Sequence, residues 1–136
     1  MSPLIVAASL GRPVTVVEGE LDALLIHQMA GDLVTPMAMR SAKNKPDVEA
    51  HALLRTAHTI LCALDADTAG YEGWLWWRGA YRQAKRWPPI LGKDPGEGMQ
   101  AGLDLRAWIL AGLLSERKAE PEPIPAGTTA LPAWAW

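Results

Sequence analysis

Apolar residues in this chain fall into short unbroken runs, separated by segments in which they recur every three or four positions. The clearest run is Ile60-Leu61-Cys62-Ala63-Leu64. Its length and branched side chains predict a strand buried on both faces, and it stops abruptly at Asp65 and Asp67. Pro13 to Val17 is β-branched and predicts a second buried strand, closed by Glu18-Gly19. Leu33 to Met39 predicts a third, which Pro36 assigns to an edge or an irregular end. Pro88 to Leu91 is a short apolar segment that reads as a final strand.

Helical spacing fills the gaps between these runs. Leu21, Leu24, Leu25 and Met29 recur as on one helix, with Gly31 as its closing residue. Pro46 to Arg55 predicts another: Pro46 starts it, Asp47 and Glu49 lie early, Leu53 and Leu54 face inward, and Arg55 lies late. Gly70 to Trp87 predicts one long helix. Trp74, Trp77, Tyr81 and Ala84 form its apolar stripe, read as core rather than as a base-stacking platform. Arg78, Arg82 and Lys85 or Arg86 form a basic stripe. Asp104 opens the last helix, with Leu105, Trp108, Ile109 and Leu113 inward. Strands alternating with helices predict an α/β fold, an open Rossmann-like sheet of about four mostly parallel strands flanked by helices. The organisation expected is a lead-in over 1–12, one domain over 13–115, and a proline-rich disordered tail over 116–136 carrying Pro121, Pro123, Pro125 and Pro132.

Composition narrows the function classes. A net charge of −2 argues against a chain that coats nucleic acid by bulk charge, so any such contact must be a local patch. Cys62 is the only cysteine, which excludes an internal disulfide and a cysteine-based zinc site. Its place inside an apolar run predicts a buried thiol in a reducing, cytoplasmic compartment. Leu4 to Leu10 is too short for a membrane span and lacks the basic flank of a signal peptide.

The candidate chemistry sits where strands end. Asp65 and Asp67 alternate with Ala66, so in extended backbone both carboxylates point to one side. Two carboxylates so placed repel unless a proton or cation lies between them, and Mg²⁺ or Mn²⁺ suits clustered carboxylate oxygens. The competing reading is a turn in which these side chains bond their own backbone. Glu18 closes its strand, and Asp22 falls in the first turn of the helix that follows, where an acid also complements the helix dipole. A third acidic turn runs from Gly92 to Glu97.

Three acidic clusters thus follow three predicted strands: Glu18-Gly19-Glu20-Leu21-Asp22, Asp65-Ala66-Asp67, and Lys93-Asp94-Pro95-Gly96-Glu97. In this order they resemble the Toprim domain shared by DNA primases, type IA and type II topoisomerases and some small nucleases. The LDADTAG string and the K-D-P-G-E motif resemble bacterial and phage-type primases in particular. The resemblance spans Pro13 to Leu114. It implies that Glu18 is the general acid/base, that Asp65, Asp67 and Asp94 hold Mg²⁺ or Mn²⁺ together with Glu18, and that Asp22 supports the site. It implies DNA-templated RNA primer synthesis by nucleotidyl transfer. The partners implied are a single-stranded DNA template, nucleoside triphosphates and a replicative helicase, with no membrane. Met39-Arg40-Ser41 replaces the small or glycine-containing turn that primases often carry there. The zinc-binding module and basic core half that precede Toprim in full primases are not in the sequence. The expectation is therefore an incomplete primase core; the alternatives are a stand-alone Toprim nuclease or a non-enzymatic Toprim interaction module. Arg40, Lys43 and Lys45 in the loop after the third predicted strand, with Lys93, are the expected phosphate contacts, in preference to the basic helix stripe.

Overall fold

The structure is a computed structural model and describes residues 2–115. The chain runs β1 (Leu4–Ile5), β2 (Val14–Val17), α1 (Glu20–Ala30), β3 (Thr35–Ala38), α2 (Val48–Thr56), β4 (Ile60–Cys62), α3 (Thr68–Ala80), β5 (Ala84–Arg86), α4 (Pro95–Gln100) and α5 (Leu105–Leu114). The strands form one five-stranded sheet in the order β1-β3-β2-β4-β5. Four of the strands are parallel, and β1 pairs antiparallel with β3. The α/β class and the mostly parallel sheet agree with expectation.

Each face of the sheet is covered, which is why β2 and β4 read as continuous apolar runs. Val14, Val16, Met37, Met39, Ile60, Cys62 and Leu64 face one side, under Leu53 and Leu54 of α2 and Trp74 and Trp77 of α3. Val17, Ala38, Leu61 and Ala63 face the other, under Ala23, Ile26 and Ala30 of α1 and Leu105, Trp108 and Ile109 of α5. Two reciprocal indole bonds fix α5 in place: Trp87 Nε1 donates to the Trp108 carbonyl at 2.9 Å, and Trp108 Nε1 to the Pro88 carbonyl at 3.2 Å.

Five expectations from the sequence are corrected. The lead-in is not outside the sheet, because Leu4 and Ile5 pair with Ala38 and Met37. Pro36 consequently lies in an interior strand. The amides of Thr35 and Met39 point to β2, donating to Pro13 and Val17 carbonyls. The alternate position, Pro36, faces the end of two-residue β1 and loses one bond there; its carbonyl still accepts from Val6 at 3.0 Å. The long helix stops at Ala80, and Tyr81 leaves it with φ −132° and ψ 114°. Ala84 to Arg86 forms β5 instead, supplying partners to backbone groups of β4 that a longer helix would leave unpaired. Pro88 to Leu91 is not a strand. On α1 the buried stripe is Asp22, Ala23, Ile26 and Ala30, whereas Leu21, Leu24 and Met29 are exposed. Small residues on that stripe let the helix lie close to the sheet. The tail expected over 116–136 lies outside the described residues. Among the described residues no helix is long and apolar enough to cross a membrane.

The order of the parallel strands sets the location of any site. From β2 the chain crosses through α1 to β3 on one side, whereas from β4 it crosses through α3 to β5 on the other. The loops leaving the carboxyl ends of β2 and β4 therefore diverge and open a crevice between them, the position at which open α/β sheets bind ligands.

Candidate metal centre

The crevice is lined by acids from each of the three motifs. One carboxylate oxygen from each of Asp22, Asp65 and Asp94 lies within 4.8 Å of the other two. Asp65 follows β4, Asp22 sits in the first turn of α1, and Asp94 is the N-cap of α4.

Glycines make this approach possible. A Cβ on Gly70 would stand 1.9 Å from the Asp65 carbonyl oxygen, so only glycine lets α3 begin against the strand end. A Cβ on Gly96 would meet Asp22 Oδ1 at 3.0 Å. Instead, the Gly96 amide donates to that oxygen at 2.9 Å and ties the third motif to the first. The Ala66 amide donates to the Lys93 carbonyl at 2.7 Å and ties the second motif to the third.

Burial, with the neighbouring acids, raises the proton affinity of Asp65 and Asp22. Burial pushes Asp65 up to about 8; a hydrogen bond and the charge of Glu18 add to this, as do Asp94 and Asp67. Asp65 is therefore the carboxyl of the cluster that holds a proton most readily. Burial also lifts Asp22 to about 6, opposed by the Gly96 amide and reinforced by Asp94 and Asp65. A proton thus occupies ground that a cation would otherwise hold. The donor set is all oxygen and all carboxylate, as hard divalent cations prefer. Ligands of a single Mg²⁺ lie at most about 4.2 Å apart, so small side-chain rotations would close the cluster on one ion.

The remaining expected residues divide. Glu18 stands beside Asp65 and raises its proton affinity, outside the cluster of Asp22, Asp65 and Asp94. Asp67 is on the same rim, with Oδ1 accepting from the Gly70 amide at 2.7 Å as the N-cap of α3. Asp67 thus does the turn-building work of the competing reading, while Asp65 does not. Lys93 Nζ stands 3.9 Å from Asp65 Oδ2 and is half exposed. Arg40 has φ 75°, and its amide donates to the Glu18 carbonyl at 2.8 Å, which puts the basic loop beside the crevice. Its guanidinium is already engaged by Glu20 and by the Ser2 carbonyl. Lys45 lies over the Trp76 ring, 4.7 Å from its centroid. Arg40, Ser41, Lys43 and Asn44 line an open depression of about 380 Å³.

Arg86 is the residue that pattern reading misplaced. It was expected on the basic stripe of a helix, but in β5 its guanidinium donates to the carbonyls of Leu64 at 2.8 Å and Asp65 at 2.9 Å. Burial lowers its pKa, and Cys62, Asp67, Glu18 and Asp65 oppose that shift, so it is the cation set behind the acidic cluster. Lys85 is likewise committed, to the Gly112 and Ser115 carbonyls. The final strand was expected at Pro88 to Leu91, but it lies at Ala84–Arg86, because the helix ends at Ala80 rather than running on to Trp87. Compared with protein-family models, with curated proteins and with solved structures, the chain has no match.

Proposed function

We propose that the chain is the metal-binding Toprim domain of a DNA primase, cytoplasmic, using Mg²⁺ or Mn²⁺ on a single-stranded DNA template and nucleoside triphosphates. One observation carries the reading: acids from all three motifs, far apart in sequence, meet at the switch point with Asp22, Asp65 and Asp94 within 4.8 Å. An acidic crevice repels phosphate, so a function on phosphate esters requires a cation there.

Asp22, Asp65 and Asp94 would hold that ion. When bound, it supplies neutralisation of triphosphate charge and alignment of the attacking and leaving oxygens. In primer extension the 3′-hydroxyl oxygen forms a bond to the α-phosphorus, the bond to the bridging oxygen breaks, and pyrophosphate leaves with that electron pair. Glu18, beside Asp65, takes the hydroxyl proton. Arg86 fixes the main chain at Leu64 and Asp65, so the Asp65 carboxylate is presented at one place. Lys93 and Lys43, on the rim, contact phosphate oxygens.

Equilibrium dialysis of a nucleoside triphosphate with Mn²⁺ tests this. Retention that requires Mn²⁺ and disappears in Asp65→Asn and Asp94→Asn supports the reading. Binding indifferent to metal, or to both substitutions, overturns it. Shortening of a single strand by the chain with Mg²⁺ would assign the site to phosphodiester hydrolysis instead.

A further inference from the structure

We propose that Trp76 and the loop from Arg40 to Lys45 form a subsite for single-stranded nucleic acid, with a base stacked on the indole and phosphates on Lys43 and Lys45. The proposal rests on the functional reading above and adds to it where the strand runs after leaving the acids.

Trp76 is unlike its neighbours on α3. Trp74 and Trp77 are at most 1% exposed and fill the core, whereas Trp76 keeps 36% of its surface open. A single exposed tryptophan is ordinary. Two further observations separate this one. Trp76 packs edge to face on Trp77 at 5.4 Å and Tyr81 at 6.2 Å between centroids, contacts that orient its ring. Its face takes the Lys45 ammonium at 4.7 Å, so the ring is reachable from the loop, and a stacked base would displace that ammonium onto the adjoining phosphate.

The loop connects this ring to the crevice without interruption. It starts at the Arg40 amide on the Glu18 carbonyl, and it passes over α3 at Ala42. There a Cβ on Gly73 would come within 2.4 Å of the Ala42 carbonyl oxygen, so the glycine lets the loop lie flat on the helix. It ends at Lys45 on Trp76. Lys43 and Lys45 bring two cations and no acid to the loop beyond Arg40, whose guanidinium is held by Glu20. Trp76 lies eight residues beyond Thr68, so it stands roughly 12 Å down α3 from the rim. A polymer with a phosphate and a flat base at each repeat matches a path with cations along it and an aromatic face at its end. A free nucleotide held at the acids would not reach the indole.

The test is the anisotropy of a labelled oligothymidylate with the full chain and Mn²⁺, set against an abasic strand of equal length. Wild type should bind, and Trp76→Ala should lose about tenfold or more, with Trp76→Phe recovering part of it. The abasic strand should bind wild type more weakly, yet Trp76→Ala should no longer distinguish the two strands. The salt slope should be unchanged in Trp76→Ala and shallower by about 0.7 in Lys43→Ala, because only the lysine releases a counterion. If Trp76→Ala keeps wild-type affinity and wild type still needs Mn²⁺, the subsite is wrong and the metal reading stands. If wild type binds neither strand with Mn²⁺, both fall. Unchanged melting temperature in Trp76→Ala guards against a folding artefact, and the abasic comparison in wild type needs no substitution at all.

Discussion

Replacing Arg86 by Met removes the cation behind the acidic cluster while keeping most of the side-chain volume. Two carbonyl oxygens, of Leu64 and Asp65, then lose donors at 2.8 and 2.9 Å. Hydrogen bonds from a charged donor contribute about 1.5–3 kcal/mol each. Some of this is offset, because Arg86 is itself largely desolvated, which lowers its pKa, whereas Met is not penalised by burial. The net loss expected is about 2–4 kcal/mol, a large share of the stability of a domain this size. Urea unfolding followed by circular dichroism should show a lower midpoint with the slope unchanged. Arg86→Lys should recover only part, since an ammonium cannot reproduce the planar fork that serves both carbonyls. A loss below about 0.5 kcal/mol in Arg86→Met would refute the claim that this side chain holds the strand end.

Gly70→Ala must displace the Asp65 carbonyl, 1.9 Å from the added carbon, and should cost about 1–3 kcal/mol and weaken divalent binding; an unchanged melting temperature would contradict the close approach. Cys62 is fully buried with its thiol pushed up to about 12, so a thiol reagent should label it only in denaturant, and rapid labelling of native protein would refute this. Asp22 and Asp65 have folded pKa values of about 6 and about 8, above the ordinary 3.8. The folded state binds more protons between those limits, so the stabilising contribution is full below about 3.8 and is lost as pH rises through about 6 and 8. In EDTA the melting temperature should fall from pH 5 to pH 9, and Mn²⁺ should reverse the fall; a rise with pH in EDTA would contradict the sign.

The parts of the fold legible in sequence were those with one dominant signal. Val14–Val17 and Ile60–Cys62 are buried on both faces, and their apolar runs say so. Glu18 and Asp65 were legible because a carboxylate closing a buried strand needs a partner; Asp22 and Asp94 were legible only through the order of the three motifs. Their division of labour was not. Asp22 looked like a helix-dipole acid, and nothing local reveals that the Gly96 amide, 74 residues away, turns it into the crevice. Asp65 and Asp67 are alike in sequence, and only the start of α3 assigns Asp67 to capping. The weakest strands are Leu4–Ile5, only two residues long, and Ala84–Arg86, which carries little β-propensity; both exist because sheet neighbours need partners. Arg86 was therefore counted on a helix face, although its position in β5 puts it under the site.

The central claim is that Asp22, Asp65 and Asp94 together hold one divalent cation. Calorimetric titration of Mn²⁺ into wild type, Asp65→Asn and Asp94→Asn at pH 7, in two buffers of different ionisation enthalpy, tests it most directly. Burial and the neighbouring acids raise the proton affinity of Asp65, so wild-type binding should release protons, and each substitution should weaken affinity about tenfold or more. Equal Mn²⁺ affinity in all three proteins would contradict the account.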